Sequence, residues 1–324
     1  MGQANRQPAA SLTGAGASES LLAGHGSRTF TFWRICLPPD SAPDRRAAAT
    51  RKWTRGYNQD MSFDRAVLGR TGIEVGRLGL SASYSAPASS VERAFDHGVN
   101  YFYWGSLRRK QFADGLRRLA PRRDRFLLVL QSYSPFAALL SPSVERALRA
   151  LHFDYTDVLL LGMWNRAVPP RVLDACRRLR ERGLVRRLAV STHNRPLIAR
   201  LASDPDFDIL HVRYNAVHRG AERDVFPLLP APNPPGLVAF TATSWRQLLG
   251  HKRIPRTEKL PTAGDCYRFV LTQNAVNVCM TGPADAAQFQ HALEALDRGP
   301  MSEDELAWMR RVGDAIYNKP RASN

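Results

Sequence analysis

Between residues 61 and 319 the sequence alternates short apolar segments with longer amphipathic ones, eight of each. The apolar segments have the length of buried β-strands, and the amphipathic ones have the spacing of surface helices. This alternation is typical of β/α units around a parallel sheet, and eight units in about 250 residues have the size of a closed barrel. The predicted strands are residues 77–81, 100–104, 126–131, 157–161, 187–191, 209–213, 237–241 and 276–280.

Local signals place the ends of several helices. Pro142 is expected early in one helix, Pro169 and Pro170 precede another, and Asp285 is a candidate N-cap. Ser302 and Glu305 have the spacing of a capping box. The predicted helices are residues 89–97, 109–119, 142–151, 170–182, 195–202, 219–225, 263–272 and 285–297, followed by an extra C-terminal helix at 303–317.

A doubly wound sheet is the main structural rival of the barrel. No predicted strand leads into a GxGxxG motif, and GxxxxGK[ST] does not occur in the chain. A turn at residues 69–72 between two short apolar segments predicts an N-terminal hairpin. The predicted fold is therefore an α/β protein, a (β/α)8 TIM barrel with an N-terminal β-hairpin and a C-terminal extra helix. Functional residues of such barrels lie at the carboxyl ends of the strands.

Residues 1–60 differ from the rest of the chain. They carry little hydrophobic periodicity, and their one apolar stretch, residues 30–37, is followed by prolines and an arginine-rich stretch. We interpret them as an extension outside the barrel, either a disordered tail or upstream sequence joined by a wrong start codon, with the second slightly favoured. Residues 61–319 form the barrel, and 320–324 a short tail. Deleting residues 1–60 is expected to leave stability unchanged.

The net charge of +17 raises the question of nucleic-acid binding. Only five of the 46 basic residues are lysines, and the arginines are spread along the whole chain. This distribution does not favour nucleic acid as the main partner. No run of 18 apolar residues predicts a membrane span, and the N-terminus lacks the order of a secretory signal. The four cysteines lack metal-ligand spacing, so we expect no metal and a cytoplasmic protein.

Several segments together carry a family resemblance. Leu68-Gly-Arg-Thr-Gly-Ile-Glu-Val-Gly-Arg-Leu-Gly-Leu80 resembles the opening hairpin and first strand of aldo-keto reductases. Residues 97–102, 151–161, 182–191, 213–222 and 282–296 fit the same family, in order along the chain. The resemblance implies a barrel that uses a nicotinamide cofactor to reduce aldehydes and ketones.

The family's catalytic tetrad is absent at the corresponding positions. Family members have an Asp, a Tyr five residues later, a Lys after the third strand and a His after the fourth. Here the Asp position is Tyr103, the Tyr position is Arg108, the Lys position is Gln131 and the His position is Gly162. The resemblance therefore implies a non-standard active site, because the groups that protonate the product are missing.

The cofactor side of the site is retained in part. Ser191 and Thr192 stand where the family holds the nicotinamide carboxamide, and Phe240 falls on the aromatic that stacks against the ring. The basic residues that grip the 2′-phosphate of NADP are missing, and Asp285 would oppose an anion there. NADP and NAD therefore both remain open. The candidate cofactor-binding residues are Ser191, Thr192, His211, Phe240, Gly282 and Gln288.

Other residues are candidates for the missing chemistry. Tyr103 is a possible proton donor, with Arg108 or Arg109 lowering its pKa or binding an anionic substrate. His193 is a second candidate acid or base, the alternative being an orienting hydrogen bond within its loop. The residues predicted to line a substrate pocket are Trp104, Gln131, Tyr133 and Trp164.

Two functions follow from these observations. The first is an NAD(P)-dependent oxidoreductase that reduces or oxidises a small carbonyl or alcohol substrate with a non-standard site. The alternative is a catalytically inactive barrel that binds a ligand or partner. In both cases we expect a small-molecule ligand and a monomer or weak oligomer. The first hypothesis rests on the resemblance, because a fold alone does not establish chemistry.

Overall fold

The structure is a computed structural model that describes residue 63 and residues 65–84, 86–105 and 107–318. The predictions made for residues 1–60 and 320–324 lie outside the described residues. Within the described ranges, no helix is long and apolar enough to cross a membrane.

Eight parallel strands close into a barrel, as the sequence predicted. Each strand pairs with the next along the chain, and the last pairs with the first, so the sheet has no open edge. The register runs, for example, from Gly79 opposite Tyr101 to Tyr101 opposite Leu127. The barrel strands are β3 Leu78–Ser81, β4 Tyr101–Trp104, β5 Leu127–Ser132, β6 Thr156–Leu161, β7 Val185–Thr192, β8 Ile209–Arg213, β9 Gly236–Phe240 and β10 Val278–Thr281.

Helices surround this barrel, and most begin and end within two residues of their predicted limits. Asp285 caps its helix, and Ser302 with Glu305 forms the expected capping box. A second capping box, Thr262 with Asp265, was not predicted. The helices are α1 Ala88–Asp96, α2 Lys110–Arg118, α3 Ala137–Leu151, α4 Pro170–Glu181, α5 Arg195–Ala202, α6 Ala221–Asp224, α7 Ala263–Leu271, α8 Ala286–Asp297 and α9 Glu303–Tyr317.

One predicted helix limit was wrong, and one helix is shorter than predicted by two residues at its start and one at its end. Helix α3 begins five residues before Pro142, which lies inside it. Proline removes one helical hydrogen bond, but Leu140 in the added turn is fully buried, and this packing outweighs the loss. Helix α6 is shorter than predicted. It ends at Asp224 because Pro227 follows within a 3-10 turn.

An antiparallel hairpin, β1 Ala66–Val67 with β2 Glu74–Val75, covers the amino-terminal end of the barrel. Leu68 is fully buried in the barrel interior, and the backbone N–H of Arg70 donates to Pro234 O at 2.7 Å. A Cβ at Gly69 would overlap the backbone of Gly236, and its φ of +46° also favours glycine. The hairpin is therefore held in place against this end of the barrel, which we call the floor.

The barrel interior is packed with side chains that alternate along the strands. Tyr101, Val129, Leu160 and Val238 belong to this inner cluster, while their chain neighbours pack outward against the helices. The interior is filled, and active sites of such barrels lie at the carboxyl ends of the strands. We call the carboxyl ends of strands β3–β10 the mouth.

Candidate active site at the barrel mouth

The inward-facing residues of the mouth follow from the period of two along each strand. Tyr103 lies two residues beyond the interior Tyr101, Gln131 two beyond Val129, and Phe240 two beyond Val238. The same alternation directs Ser191 and Arg213 inward. The mouth therefore contains phenol, amide, hydroxyl, guanidinium and phenyl groups in place of the tetrad that the resemblance implied.

The position of the family's histidine is filled by neighbouring side chains. A Cβ at Gly162 would overlap Gln131 Nε2 and would lie 2.8 Å from Tyr133 Cε1. Gln131 and Tyr133 therefore occupy the volume in which any side chain at position 162 would begin. Among the described residues, no histidine or lysine takes the place of the lost catalytic pair at this end of β5 and β6.

Tyr103 does not have the environment of a proton donor. Its side chain is mostly buried, and burial raises the pKa of its phenol, with a further contribution from the hydroxyl of Tyr133. The expected lowering of this pKa by Arg108 or Arg109 is not seen. Arg109 instead donates to Ser83 O at 2.6 Å, and Arg108 is exposed. A phenol with a raised pKa gives up its proton less readily.

The loops after β6 and β7 are tied together by hydrogen bonds. Ser191 Oγ accepts from the N–H of Met163 at 3.0 Å, and Thr192 Oγ1 donates to Asn165 Oδ1 at 3.1 Å. The N–H of His193 donates to the same Asn165 oxygen at 2.9 Å. These bonds fix the position of Ser191 and Thr192 at the mouth. The proton of the Ser191 hydroxyl is donated to no residue in the described part of the chain.

His193 lies beside Phe240 on the rim of the mouth. Their ring centroids are 5.8 Å apart, and His193 Nδ1 is buried without a hydrogen-bond partner among the described residues. Burial lowers the pKa of His193, and the positive charge of Arg213 lowers it further. The imidazole is therefore neutral near pH 7, a state in which it accepts protons rather than donates them.

His211 lies one layer below the mouth. It is buried, and its Nε2 is 2.8 Å from the hydroxyl of Tyr101. Burial lowers the pKa of His211 to about 3, so the ring is neutral. In register, His211 lies opposite Ser191, while its ring bonds Tyr101 in the barrel interior. Phe240 lies opposite Arg213, two residues farther along β8.

The four predicted pocket residues separate into two groups. Tyr133 and Trp164 line a cavity of about 370 Å³ at the rim, together with Gly162, Met163 and Asn165. Gln131 lies against this cavity through its contact with Gly162. Trp104 belongs to the outer core instead, and its Nε1–H donates to Arg109 O at 3.2 Å.

The segment after β10, where the resemblance would place the adenine end of a nucleotide, has its own hydrogen bonds. Asp285 accepts from the N–H of Gln288 at 2.8 Å, and the Gln288 amide bonds both Asp285 and the N–H of Ala284. The helix terminus that follows Gly282 is thus capped by a carboxylate of the chain itself. Residues 282–289 include no Lys or Arg.

The sequence placed Arg213 at the end of the sixth predicted strand but gave it no role. Counting by two from the buried Ile209 directs it toward the mouth. Metal ligation finds no support in the part of the chain that the structure describes, where no group of three His, Cys, Asp or Glu residues has the required arrangement.

Comparison with known proteins agrees with the fold. The chain is similar to the holo form of aldo-keto reductase AKR11C1 from Bacillus halodurans, with 18% sequence identity and a TM-score of 0.66. The apo form of that protein gives 19% identity and a TM-score of 0.62. Each alignment covers 79% of this chain and 99% of the other, and at this identity it shows the fold alone.

No curated protein matches the sequence significantly. The model of the Aldo/keto reductase family matches residues 68–244, more than half of the chain. This chain belongs to the aldo/keto reductase family.

Proposed function

We propose that this chain is an NAD(P)-dependent oxidoreductase of the aldo/keto reductase type that oxidises a small alcohol, with His193 as the general base. Family membership and fold support the oxidoreductase class. The observation that carries the assignment of the base is the neutral His193 beside Phe240, because a neutral imidazole can accept the proton that an alcohol must lose.

The nicotinamide end of a nucleotide fits the residues of the mouth. Phe240 offers a half-buried aromatic face, Ser191 has a hydroxyl proton to donate, and His193 Nδ1 is a buried polar atom without a partner. The adenine end fits NAD better than NADP, because Asp285 lies at the α8 terminus and no Lys or Arg accompanies it. When bound, the nucleotide would supply the hydride acceptor.

The chain's own residues would do the remaining work. His193 would take the hydroxyl proton, and Arg213 would stabilise the negative charge that develops on the oxygen. Tyr103 would shape the pocket and donate no proton, because burial raises its pKa. The rim cavity beside Trp164 is the proposed substrate site, with room for a small molecule and not for a polymer.

The first test measures nucleotide binding and turnover by the full chain. NAD or NADP at millimolar concentration should raise the Tm, and a panel of small alcohols should then give reduced nucleotide. His193→Gln should lower kcat by roughly 10²–10⁴-fold. Tyr103→Phe, the matched control, should leave kcat within about threefold, because its phenol transfers no proton. An unchanged Tm with both nucleotides would remove the proposal.

A second candidate is a barrel that binds nucleotide without turnover. The filled space at Gly162 and the raised pKa of Tyr103 favour it, because the family's histidine position has no side chain and the phenol at its aspartate position is a weak acid. Nucleotide binding with no reaction across alcohol and carbonyl panels would establish this alternative. Turnover that is insensitive to His193→Gln would refute both it and the assigned base.

A further inference from the structure

A second cavity lies at the end of the barrel opposite to the mouth. It has a volume of about 680 Å³, within the range of small-molecule sites. The hairpin turn and the amino-terminal ends of β7 and β8 surround it. We call it the floor cavity, and the residues used below are Arg70, Tyr155, Arg180, Arg186, Arg187 and Asp208.

Four of these six residues are arginines, drawn from three separate elements. Arg180 and Arg187 make no side-chain hydrogen bond or ion pair with any residue that the structure describes. Asp208 is the one acidic side chain on the wall, and its Oδ2 already accepts from the N–H of Leu188 at 2.9 Å. The cavity therefore carries an excess of positive charge that internal carboxylates do not neutralise.

Arg70 adds an unmet hydrogen-bond donor. Its terminal nitrogen donates to Ala202 O, but its Nε–H is buried and has no partner among the described residues. Buried donors nearly always have a partner, so an acceptor is missing beside this side chain. An anion in the floor cavity would supply that acceptor.

Arg186 is held differently from the other arginines. It pairs with Asp157 at 3.4 Å, and its guanidinium lies 3.6 Å from the centre of the Tyr155 ring. This stacking fixes the position of the positive group at the cavity wall. A fixed guanidinium loses less conformational entropy on binding an anion than a free one does.

We propose that the floor cavity is a binding site for a small phosphorylated anion with at least two phosphate groups. Planar guanidinium groups match phosphate oxygens in pairs, and unpaired ones from separate elements can engage more than one phosphate at once. The site lies on the face that β/α barrels do not use for catalysis. It is a stabilising or regulatory site, and it does not depend on the function proposed for the mouth.

The test titrates the full chain with pyrophosphate by calorimetry at fixed ionic strength, with orthophosphate and citrate as comparisons. Pyrophosphate should bind saturably and more tightly than both. The double variant Arg180→Gln/Arg187→Gln should raise the pyrophosphate Kd by about tenfold or more. The control Arg171→Gln/Arg178→Gln removes the same charge from exposed positions of α4 and should change Kd less than about twofold.

Three results would overturn the proposal. The first is no saturable binding of pyrophosphate to the unaltered chain. The second is an equal loss of binding in both double variants, which would indicate only the overall charge of the protein. The third is much tighter binding of a short single-stranded oligonucleotide through the same two arginines, which would indicate a nucleic-acid surface. Because the cavity is remote from the mouth, nucleotide-dependent turnover should be unchanged in the cavity variant.

Discussion

The side-chain amide of Gln131 occupies the space directly in front of Gly162, so that a Cβ at position 162 would overlap Gln131 Nε2. These residues stand at the family's lysine and histidine positions. The two changes are therefore structurally linked, because one new side chain fills the volume that the loss of the other leaves.

This contact predicts energetic coupling between the two positions. Gly162→Ala should destabilise the fold by about 1 kcal/mol, since the Gln131 amide and the Tyr133 ring must move. In a Gln131→Ala background the same substitution should cost less, with a coupling energy of roughly 0.5–1 kcal/mol. Urea unfolding of the two single variants and the double variant measures this. Strictly additive effects would contradict the contact.

The pair of His211 and Tyr101 predicts a stability that depends on pH. Burial lowers the pKa of folded His211 to about 3, whereas the unfolded value is about 6.5. As the pH falls from 6.5 to 3, His211 becomes protonated in the unfolded chain but stays neutral in the folded chain. The stability present above pH 6.5 is therefore lost at up to about 1.4 kcal/mol per pH unit.

His211→Gln removes this titrating group and should reduce the loss of stability at low pH. Between pH 7.5 and 4.5, the variant should lose about 2–3 kcal/mol less of its free energy of unfolding than the unaltered chain does. The substitution His251→Gln, at an exposed position, serves as a control and should leave the loss of stability between pH 7.5 and 4.5 unchanged. Parallel curves for all three proteins would mean that His211 is not buried and neutral.

His193 carries the proposed chemistry, and its titration can be measured directly. Nuclear magnetic resonance of the imidazole Cε1–H should show a pKa below the ordinary value of about 6.5. Arg213→Gln should raise this pKa part of the way back, because the burial of His193 persists. Arg166→Gln at the same rim should have no effect. A pKa at or above the ordinary value would contradict the effects assigned to burial and to Arg213, and a pKa well above 7 would exclude His193 as a base that is neutral at pH 7.

The barrel could be predicted from the sequence because its strands are recognisable from their own residues. Apolar runs at 157–161 and 209–213 are buried on both faces, and the spacing between runs left room for one helix each. The mouth positions of Tyr103, Gln131 and Phe240 followed from strand ends alone. Their assigned roles remain predictions that the experiments above address.

Other features depended on contacts between distant segments. The direction of the Tyr103 pKa shift arises from burial and from Tyr133, which follows the neighbouring strand β5, and no local pattern reveals it. The early start of α3 depends on where Leu140 packs. The floor cavity combines a hairpin turn with strand ends more than 100 residues later, so the scattered arginines gave no hint of a common site.

Helix α9 approaches the loop after β8 closely at Gly313. A Cβ at this position would overlap Ala216 O, and backbone atoms cannot move aside as a side-chain tip can. Gly313→Ala should therefore cost about 1–3 kcal/mol or more. Gly250→Ala should be nearly neutral, since no atom lies within 4 Å of its added Cβ. Chemical unfolding of both variants tests the contrast.

Gly313→Ala should also affect the residues of the mouth. Ala216 lies three residues after Arg213, so displacement of this loop shifts the guanidinium that lowers the pKa of His193. Gly313→Ala should then raise that pKa toward its ordinary value, in the same direction as Arg213→Gln but by less. Gly250→Ala should leave it unchanged. A destabilised Gly313→Ala protein with an unaltered His193 titration would show that α9 supports the fold without positioning the site.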